Sequence, residues 1–574
     1  MELSMDNEQK LTGYPSIDKP WLKYYSDEAI NAPLPECTLY EYLWQNNKDN
    51  LNSTALNYFG RKMTYGKLFE SIDKTAAAFK AWGVRAGDTV TLLMLSCVPS
   101  VLCLYALNRI GAVPNYINVL SSEDEIKRYV EEAESRHIVT LDLFGEKVMS
   151  AMSGRKILVC SLADYMPLPI KAVFKLKTRK NSFVPNGALT WKSFLTLANK
   201  EEQIFQEKDP HTLCFLAHTG GTTGFPKSVM LSDIAFNTVT QNYVLSMPHK
   251  RGEVFLNMMV PFVVYGTLIN VHMPLCLGLE TVIIPKFDLA DWSKYLMKYH
   301  PNHCCGIPAY ILPMYNDKKL SDANLSGLKT VGLGGDGMNS EQEVKINEFL
   351  AEHKSPAEVL TGYGMTEVCA TAILSFAHAH RVGSVGIPLV GNNIMIYDAD
   401  NECECKYGEI GEICLDCASQ MLGYKDNPQE EDQLIRIHPD GSRWLHSGDL
   451  GYVDRDGFLY MKGRLKRFIM TVGDGLAYKV YPTEIEKILN AHETVNSSCV
   501  VAGKKGNTIF PHAFIILEDG VEPSSAEKLL REYAKENMSE SMQPSHYSFI
   551  KEYPLTSVGK VDFKKLEEMA AEFE

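Results

Sequence analysis

The sequence has little positive charge for its size and no long uninterrupted hydrophobic run. Its 574 residues include 57 Lys and Arg against 71 Asp and Glu, a formal net charge of −14. Surfaces that bind nucleic acid are basic, so this balance argues against a nucleic-acid partner. The most apolar stretch, VTLLMLSCVPSVLCLYAL at residues 90–107, is broken by Ser96, Pro99 and Ser100. It predicts a buried strand, a turn and a packed helix rather than a membrane span.

A secretory leader is not evident either. The first residues, MELSMDNEQK, are polar and acidic and lack a basic region followed by an apolar one. We therefore expect a cytoplasmic protein whose 14 cysteines are reduced. Cys403, Cys405, Cys414 and Cys417 fit either a zinc site or a cysteine-rich β-hairpin. The intervening KYGEIGEI has the character of a turn leading into a strand, which favours the hairpin.

The familiar P-loop, in which Gly directly precedes Lys, is absent as well. In its place AHTGGTTGFPKSVM occupies residues 217–230, with Pro226 before Lys227. Glycines let backbone N–H groups approach a phosphate closely, and hydroxyls and a lysine add further donors. Taken alone, such a segment is equally typical of a flexible surface loop. The loop residues in question are Thr219, Gly220, Gly221, Thr222, Thr223 and Gly224.

Short apolar segments alternate with helical ones, a pattern that dominates the first half of the chain. This alternation predicts an α/β fold with largely parallel sheets. From about residue 385 the pattern changes to short runs separated by turn residues, as in antiparallel hairpins. From about Lys466 a smaller segment begins, with helices predicted at residues 482–492 and 524–537, so the last part predicts a small α+β domain. The strand candidates are residues 87–95, 135–142, 155–160, 212–218, 279–285, 303–308 and 328–335.

Residues 164–180, DYMPLPIKAVFKLKTRK, interleave basic and apolar side chains. A basic amphipathic helix of this kind can lie on an anionic membrane surface. A solvated surface helix is the simpler interpretation of the same pattern, and the sequence favours it over peripheral membrane contact.

Five motifs, which occur in a fixed order, give the chain a resemblance to a known protein family. They are GGDGM (residues 334–338), TGYGMTE (361–367), WLHSGDLGYVDRDG (444–457), GRLKRFI (463–469) and PLTSVGKVD (554–562). Together with the Gly/Thr loop they resemble the adenylate-forming superfamily, which includes acyl-CoA synthetases, peptide-synthetase adenylation domains and luciferases. The resemblance implies a large N-terminal domain, residues 1–465, of two α/β subdomains and a β-barrel-like subdomain. A small mobile α+β domain, residues 466–574, follows, and Lys466 matches the hinge between the two.

The resemblance also implies a reaction and the residues that serve it. ATP converts a carboxylic acid into an acyl-adenylate with release of pyrophosphate, and CoA then takes the acyl group and releases AMP. The implied catalytic residues are Lys560, Thr366 and Glu367, with Glu367 also the ligand of Mg²⁺. The implied ATP-binding residues are Thr219, Gly220, Gly221, Thr222, Thr223, Gly224, Lys227, Gly335, Asp336, Tyr363, Asp449 and Arg464.

The substrate is predicted by what the expected pocket lacks. Amino-acid-activating relatives carry an Asp just after the Phe near residue 262, whereas this chain has Val263 and Val264. The pocket candidates between residues 261 and 313 are mostly apolar, which suits an aliphatic or aryl acid. They are Phe262, Val264, Tyr265, Leu268, Ile307 and Tyr310. Segments KPWLKYY and TLYEYLW resemble the leader of fatty acid–CoA ligases, so we expect a fatty acid. A free-standing enzyme that loads a separate carrier protein is the close alternative, and a non-catalytic nucleotide-binding protein is the distant one.

Overall fold

The computed structural model describes residues 11–151, 153–200, 208–219, 227–290, 292–465, 467–473, 476–505, 508–556 and 560–571. Two sequence predictions lie outside these residues: the loop positions Gly220–Gly224 (Gly220, Gly221, Thr222, Thr223 and Gly224) and the hinge candidate Lys466. Within the described residues, no helix has both the length and the apolar character that crossing a bilayer requires.

The strands, in chain order, are β1 (Thr54–Tyr58), β2 (Arg61–Thr64), β3 (Thr89–Leu93), β4 (Val113–Tyr116), β5 (His137–Leu141), β6 (Lys156–Cys160), β7 (Leu189–Thr190), β8 (Leu213–His218), β9 (Ser228–Ser232), β10 (Val254–Asn257), β11 (Glu280–Ile283), β12 (His303–Gly306), β13 (Thr330–Leu333), β14 (Val359–Tyr363), β15 (Ile373–Leu374), β16 (Ile387–Pro388), β17 (Asn393–Asp398), β18 (Cys403–Glu404), β19 (Gly411–Asp416), β20 (Gly423–Tyr424), β21 (Ile435–Ile437), β22 (Arg443–Val453), β23 (Leu459–Arg464), β24 (Ile469–Gly473), β25 (Leu476–Val480), β26 (Val495–Lys505), β27 (Thr508–Leu517) and β28 (His546–Phe549).

The α-helices are α1 (Pro15–Asp18), α2 (Asp27–Ile30), α3 (Leu39–Asn47), α4 (Tyr65–Trp82), α5 (Val98–Arg109), α6 (Glu123–Glu132), α7 (Leu168–Thr178), α8 (Trp191–Thr196), α9 (Asp233–Ser246), α10 (Val264–Thr267), α11 (Met273–Cys276), α12 (Trp292–Tyr299), α13 (Pro308–Ile311), α14 (Ser340–Glu352), α15 (Pro428–Leu434), α16 (Pro482–Asn490), α17 (Pro523–Asn537) and α18 (Phe563–Ala571). Short 3₁₀ turns span Pro20–Tyr24, Asp142–Phe144, Met149–Ala151, Leu162–Tyr165, Leu197–Lys200, Leu312–Met314, Lys318–Leu320, Thr366–Val368 and Glu540–Met542, and one π turn spans Leu268–His272.

Two large sheets form the α/β part of the chain. One has nine strands in the order β16-β15-β14-β13-β12-β10-β11-β1-β2, and the other has eight in the order β20-β9-β8-β4-β3-β5-β6-β7. The six inner strands of the first, from β14 to β1, run parallel, as do the six from β8 to β7 of the second. Helices on both faces bury these strands, which explains their continuous apolar sequences. The predicted α/β fold with largely parallel sheets is confirmed.

A third sheet follows at the point where the sequence pattern changes. Its strands pair antiparallel in the order β18-β17-β19-β22-β21, with β23 added to β22. This sheet is the subdomain that the resemblance described as barrel-like. Cys403 and Cys405 lie at the β17–β18 hairpin, and all four cysteines of the candidate zinc cluster are free thiols. The KYGEIGEI segment leads into strand β19, as the hairpin interpretation expects, but β19 pairs with β17 rather than with β18.

The last part of the chain forms a small α+β domain. Strands β24 and β25 form a hairpin, β26, β27 and β28 form a three-stranded sheet, and α16, α17 and α18 pack against them. Ile485 and Leu530 lie at the centre of one of its hydrophobic clusters, and Leu566 lies in a second. The small domain touches the large one through an ion pair between Lys345 and Glu518. The molecule thus has a large N-terminal and a small C-terminal domain, as predicted.

Candidate functional site

The site lies where strands β13 and β14 end side by side. They are parallel neighbours, so the segments that follow them leave the sheet at the same edge. Ligands of open α/β sheets bind in the crevice outside such carboxyl ends. Gly335, directly after β13, has a φ of +80°, which a residue with a Cβ adopts only under strain. This turn directs the next residue, the exposed Asp336, toward the crevice.

Tyr363, Asp449 and Arg464 form one polar network at this crevice. The Tyr363 hydroxyl donates to Asp449 Oδ2 at 2.7 Å, and Arg464 Nε lies 2.8 Å from Asp449 Oδ1. Asp449 and Arg464 face each other across the β22–β23 ladder. Burial raises the pKa of the Asp449 carboxyl, while Arg464 and the Tyr363 hydroxyl act in the opposite direction. Because Asp449 is only 7% exposed, this acceptor is held in one place.

Glu367 is the buried carboxylate next to this network. It lies in the 3₁₀ turn Thr366–Val368, directly after the carboxyl end of β14. The Tyr424 hydroxyl donates to its Oε1 at 2.7 Å, and the Met421 amide donates to its backbone oxygen at 2.8 Å. In the described part of the chain, Oε2 has no hydrogen-bond partner. Thr366 is half-buried, and its backbone oxygen accepts from the Cys369 amide at 3.1 Å.

Thr219 and Lys227 hold together the two ends of the Gly/Thr loop. The Thr219 amide donates to the Lys227 oxygen at 3.0 Å, and the Lys227 amide donates to Thr219 Oγ1 at 3.2 Å. Lys227 Nζ forms a 2.6 Å ion pair with Glu430 and lies 5.0 Å from the centre of the Tyr424 ring. Since Tyr424 also binds Glu367, one tyrosine connects the base of the loop to the buried carboxylate.

Lys560 comes to this crevice from the small domain. The Thr556 amide donates to the Lys560 oxygen at 2.7 Å, and the Lys560 amide donates to Thr556 Oγ1 at 3.2 Å. Desolvation lowers the pKa of its ammonium, which Asp336, Asp449 and Glu367 raise and Arg464 lowers further. The residue as a whole remains exposed, so water still reaches it. The Lys560 ammonium thus interacts through space with three carboxylates of the large domain.

Some polar residues of the site were missed by sequence reasoning. Tyr424 and Glu430 hold Glu367 and Lys227, as described above. Glu412 accepts from the Gly448 amide at 3.0 Å and from His446 Nδ1 at 2.8 Å, and thereby fixes the strand residue just before Asp449. Of these residues, His446 lies in the quoted motif WLHSGDLGYVDRDG, but no partner was assigned to its side chain.

Glu412, Cys414 and His446 are also, within the described ranges, the one group that could hold a metal ion. The three ligand atoms lie within 4.8 Å of one another. Hydrogen bonds already account for this group, since His446 Nδ1 contacts both Glu412 and, at 3.5 Å, Cys414 Sγ. Cys403, Cys405 and Cys417 do not belong to it.

The residues predicted to line an acyl pocket lie beside the same crevice. Phe262, Val264 and Leu268 are buried, and the Tyr265 hydroxyl donates to the Gly306 oxygen at 3.1 Å. A Cβ on Gly266 would lie 1.9 Å from the Val260 oxygen, so only glycine fits there. The Tyr265 ring is also within 3.6 Å of a Cβ placed on Gly334, next to Gly335 and Asp336. Ile307 and Tyr310, the remaining pocket candidates, belong to the adjoining hydrophobic cluster.

A large α/β domain whose strand-end crevice meets a lysine from a small C-terminal domain is the arrangement of an adenylate-forming enzyme. The model of the AMP-binding enzyme family matches residues 43–425, and the model of the AMP-binding enzyme C-terminal domain matches residues 484–560. The chain belongs to the AMP-binding enzyme family.

Its relatives and structural neighbours agree with this assignment. A long-chain-fatty-acid–CoA ligase of Bacillus subtilis (strain 168) is 29% identical over 96% of this chain and 98% of its own length. The crystal structure of the anthranilate CoA ligase AuaEII with anthranoyl-AMP has a TM-score of 0.79 at 22% identity, covering 95% of this chain and 99% of that one. An O-succinylbenzoate coenzyme A synthetase of Bacillus subtilis, in complex with ATP and magnesium ion, has a TM-score of 0.72 at 21% identity, covering 92% and 98%. The predicted adenylate-forming superfamily and the predicted acid–thiol ligase class are confirmed.

Proposed function

We propose that this enzyme is an acid–CoA ligase for fatty acids. A carboxylate oxygen attacks the α-phosphorus of ATP, the bond to the β-phosphate breaks, and acyl-AMP and pyrophosphate result. The CoA sulfur then attacks the acyl carbon, and AMP leaves with the electron pair of the broken bond. The observation that carries the proposal is that Lys560, on the small domain, lies near enough to Asp336, Asp449 and Glu367 of the large domain to interact with them electrostatically. Two anions must approach each other in the first step, and such a cation offsets their repulsion.

The polar network at the crevice supports a site for the nucleoside of ATP. The ring of Tyr363 and the segment of Gly335 and Asp336 would contact the adenine, and Asp449 and Arg464 would bind the ribose hydroxyls. A buried, fixed carboxylate such as Asp449 accepts from hydroxyl donors without reorganising. Thr366 would donate to the α-phosphate. The phosphates would lie against the Gly/Thr loop, with Thr219 and Lys227 at its base and Gly220, Gly221, Thr222, Thr223 and Gly224 between them.

Glu367 is the proposed ligand of Mg²⁺. A hard cation prefers carboxylate and phosphate oxygens, and one oxygen of this buried carboxylate lacks a hydrogen-bond partner in the described part of the chain. Tyr424 holds the other oxygen, so the carboxylate is oriented before any ion binds. The ion would supply charge neutralisation to the ATP phosphates.

We place the domain boundary between residues 465 and 466 and propose that the small domain moves between the two steps. During adenylation, Lys560 would occupy the space through which the thiol must later reach the acyl group. Its withdrawal would admit the thiol, and hinge motion of this kind lets one site run two reactions. The described contacts between the domains include the ion pair between Lys345 and Glu518 and a 2.6 Å hydrogen bond from Thr483 Oγ1 to the Lys462 oxygen, and such a motion would have to exchange them.

The proposed acid is a long-chain one because the pocket candidates carry no charge to pair with an amino group. Val263 and Val264 stand where amino-acid-activating enzymes have an Asp, and Phe262 and Leu268 are buried beside them. An apolar pocket with few polar groups suits an aliphatic tail. The likeness to a long-chain-fatty-acid–CoA ligase of Bacillus subtilis supports the same class.

A panel of acids tests this function directly. We expect pyrophosphate release from ATP and Mg²⁺ with long-chain saturated acids of about 12 to 18 carbons, because a long aliphatic tail suits an apolar pocket. AMP release should follow once CoA is added. Benzoate, anthranilate and 4-coumarate are the comparison arms. A preference for these aryl acids would contradict the fatty-acid assignment. Pyrophosphate release without any CoA thioester would favour the carrier-loading alternative, and no pyrophosphate with any acid would contradict the whole proposal.

Replacing Asp449 with Asn is expected to raise the KM for ATP about 10- to 100-fold. Hydrogen bonds to a charged group contribute about 1.5–3 kcal/mol, and each 1.4 kcal/mol corresponds to about tenfold in affinity. Tyr363→Phe, which removes only the 2.7 Å hydrogen bond to Asp449, should have a smaller effect. Exposed Asp416→Asn on β19 is the matched control. An unchanged KM for ATP in the Asp449 variant would contradict the ribose role.

Helix α7 is proposed to contact an anionic membrane surface. Ile170 and Phe174 pack inward, whereas Leu168, Val173 and Leu176 are 82%, 55% and 76% exposed. Their outward apolar stripe is not needed to fix the helix on the protein. Exposed basic residues flank it, and a helix with this pattern lies at the interface of anionic lipids. These are Lys175, Lys177, Arg179 and Lys180.

Flotation with phosphatidylglycerol vesicles measures this contact. Each fully buried leucine contributes about 1.5–3 kcal/mol, so L168S/L176S should lower the partition coefficient at least about tenfold. Ile437→Ser on β21 is the matched control, because Ile437 is also 76% exposed. Equal losses in both variants, or binding that is the same for neutral phosphatidylcholine vesicles, would contradict the role of α7.

A further inference from the structure

A cavity of about 380 Å³ lies at the edge of the large domain, between strand β2 and helix α4. Leu56 and Val98, both almost fully buried, form its floor, and Met63, Tyr165 and Leu195 form its walls. The volume falls within the range of small-molecule pockets, roughly 300–1,000 Å³. Thr64, Ser71 and Thr75 also line the cavity, which thus combines polar groups with an apolar part large enough for a hydrocarbon chain.

This cavity is separate from the adenylation site. Strand β2 is the last strand of the nine-stranded sheet at one edge, and β14, which carries Tyr363, is near the other. Five strands lie between them, and neighbouring strands are about 4.8 Å apart, so about 30 Å separates the two strands. None of the proposed ATP or acyl residues lines the cavity.

Basic side chains surround the mouth of the cavity. Arg61, Lys62, Lys67 and Lys74 line it, and no acidic residue does. Arg61 shares one face of β2 with Met63, and Lys67 and Lys74 share one face of α4. A concave surface lined by charges of one sign attracts the opposite charge, here in a chain with a net charge of −14.

Two of the four cations are already neutralised. Lys62 forms a 2.7 Å ion pair with Glu280, and Lys67 forms a 2.8 Å ion pair with Glu70. Arg61 and Lys74 have no ion-pair partner in the part of the chain that the structure describes. The cavity therefore presents two uncompensated positive charges above its apolar part.

We infer that this cavity is a second binding site for a single-chain amphiphile with an anionic headgroup, such as a carboxylate or a phosphate. The hydrocarbon chain would lie on Leu56, Val98 and Met63, and the headgroup would pair with Arg61 and Lys74. Each part of the ligand would contact a matching surface. The hydrocarbon chain would be buried away from water, and the charged headgroup would stay at the solvent-exposed mouth of the cavity.

Helix α7 follows closely, along the chain, one of the residues that line the cavity. Tyr165 lines the cavity and ends the 3₁₀ turn Leu162–Tyr165, three residues before α7 begins at Leu168. The Tyr58 hydroxyl donates to the Leu162 oxygen at 2.9 Å and fixes this turn to β1. The cavity and the outward apolar stripe of α7 thus belong to one region of the surface. The inference itself requires neither the membrane contact nor the ligase reaction.

A dodecyl phosphate that carries a diazirine group tests the site without serving as a substrate, because it has no carboxylate to activate. After irradiation of the full-length protein, we expect labelled peptides that contain residues 54–75, 98, 165 or 195. R61E/K74E should lower this labelling about tenfold, as expected for the loss of two charged hydrogen-bonding partners. R136E/K127E makes the same change of charge at exposed positions outside the cavity and should label like the parent protein.

Further experiments distinguish the contribution of the hydrocarbon chain to binding from that of the headgroup. Unlabelled dodecyl phosphate should compete, whereas inorganic phosphate and CoA should not, because they lack the apolar chain. Met63→Trp, which fills the cavity without changing charge, should also abolish labelling. Label confined to residues 261–313, or equal labelling of R61E/K74E and R136E/K127E, would overturn the inference. Acid-dependent pyrophosphate release should be unchanged in all of these variants, so failure here is distinct from failure of the ligase proposal.

Discussion

Lys560→Ala is expected to lower the rate of acyl-adenylate formation about 10²- to 10³-fold, the usual effect of removing one preorganised donor from a developing charge. The Lys560 ammonium interacts electrostatically with Asp336, Asp449 and Glu367. Without it, the small domain would not supply this positive charge to the anionic groups of the first step. ATP–pyrophosphate exchange with a saturating fatty acid measures the rate. The exposed Lys564 at the start of α18 is the matched control, and Lys564→Ala should retain full activity.

The second half-reaction separates catalysis from folding. When acyl-AMP is supplied directly, transfer to CoA should be nearly unaffected in Lys560→Ala, because the lysine is proposed to have left the site by then. Equal loss of both half-reactions would show that the substitution disturbs the small domain as a whole. An unchanged rate of adenylation would show that Lys560 does not act in the catalytic site.

Lys560 also predicts how adenylation depends on pH. The useful form is the charged one, and desolvation lowers the pKa of this ammonium from that of free lysine, although the three carboxylates act in the opposite direction. The adenylation rate should therefore fall on the alkaline side, beginning at a lower pH than free lysine would give. Arginine stays charged throughout this range, so the residual activity of Lys560→Arg should lack the alkaline fall. If the Lys560→Arg variant showed the same alkaline fall in rate, that fall would be caused by the titration of another group.

The elements of the fold were largely predictable from local pattern. The strand predicted at residues 155–160 appears as β6, Lys156–Cys160, and the helix predicted at residues 482–492 appears as α16, Pro482–Asn490. Parallel strands are buried on both faces, so each one is a short apolar run that stands out in the sequence. Residues 90–107 became β3 and α5, joined by a turn, as their Ser and Pro residues indicate.

The contacts within the site were not predictable in the same way. The ion pair between Lys227 and Glu430 joins positions 203 residues apart, and no local pattern links them. Asp449 meets Arg464 only because a register shift between Leu450 and Gly451 sets the β22–β23 pairing. Register depends on packing across the sheet, which a single sequence does not specify. Motif order could therefore indicate which residues belong to a site, but not that Tyr424 connects Glu367 to Lys227.

Glu367→Gln is expected to lower kcat/KM for ATP about 10²- to 10³-fold, since a bound metal ion contributes several kcal/mol of charge stabilisation. Glutamine has nearly the same volume and can still accept from the Tyr424 hydroxyl, so the local structure should persist. What is lost is the negative charge that would hold Mg²⁺ against the ATP phosphates. Glu348→Gln, an exposed acid on α14, is the matched control and should be unaffected.

Calorimetry of ATP binding at graded Mg²⁺ concentrations identifies the cause without relying on turnover. In the parent enzyme, ATP affinity should rise with Mg²⁺, and in Glu367→Gln the midpoint of that rise should move to higher Mg²⁺. Tyr424→Phe keeps the charge but loses the 2.7 Å hydrogen bond, so it should shift the midpoint less. If Glu367→Gln loses activity while the Mg²⁺ dependence stays the same, the carboxylate acts by positioning the turn that also carries Thr366, and the metal site lies elsewhere.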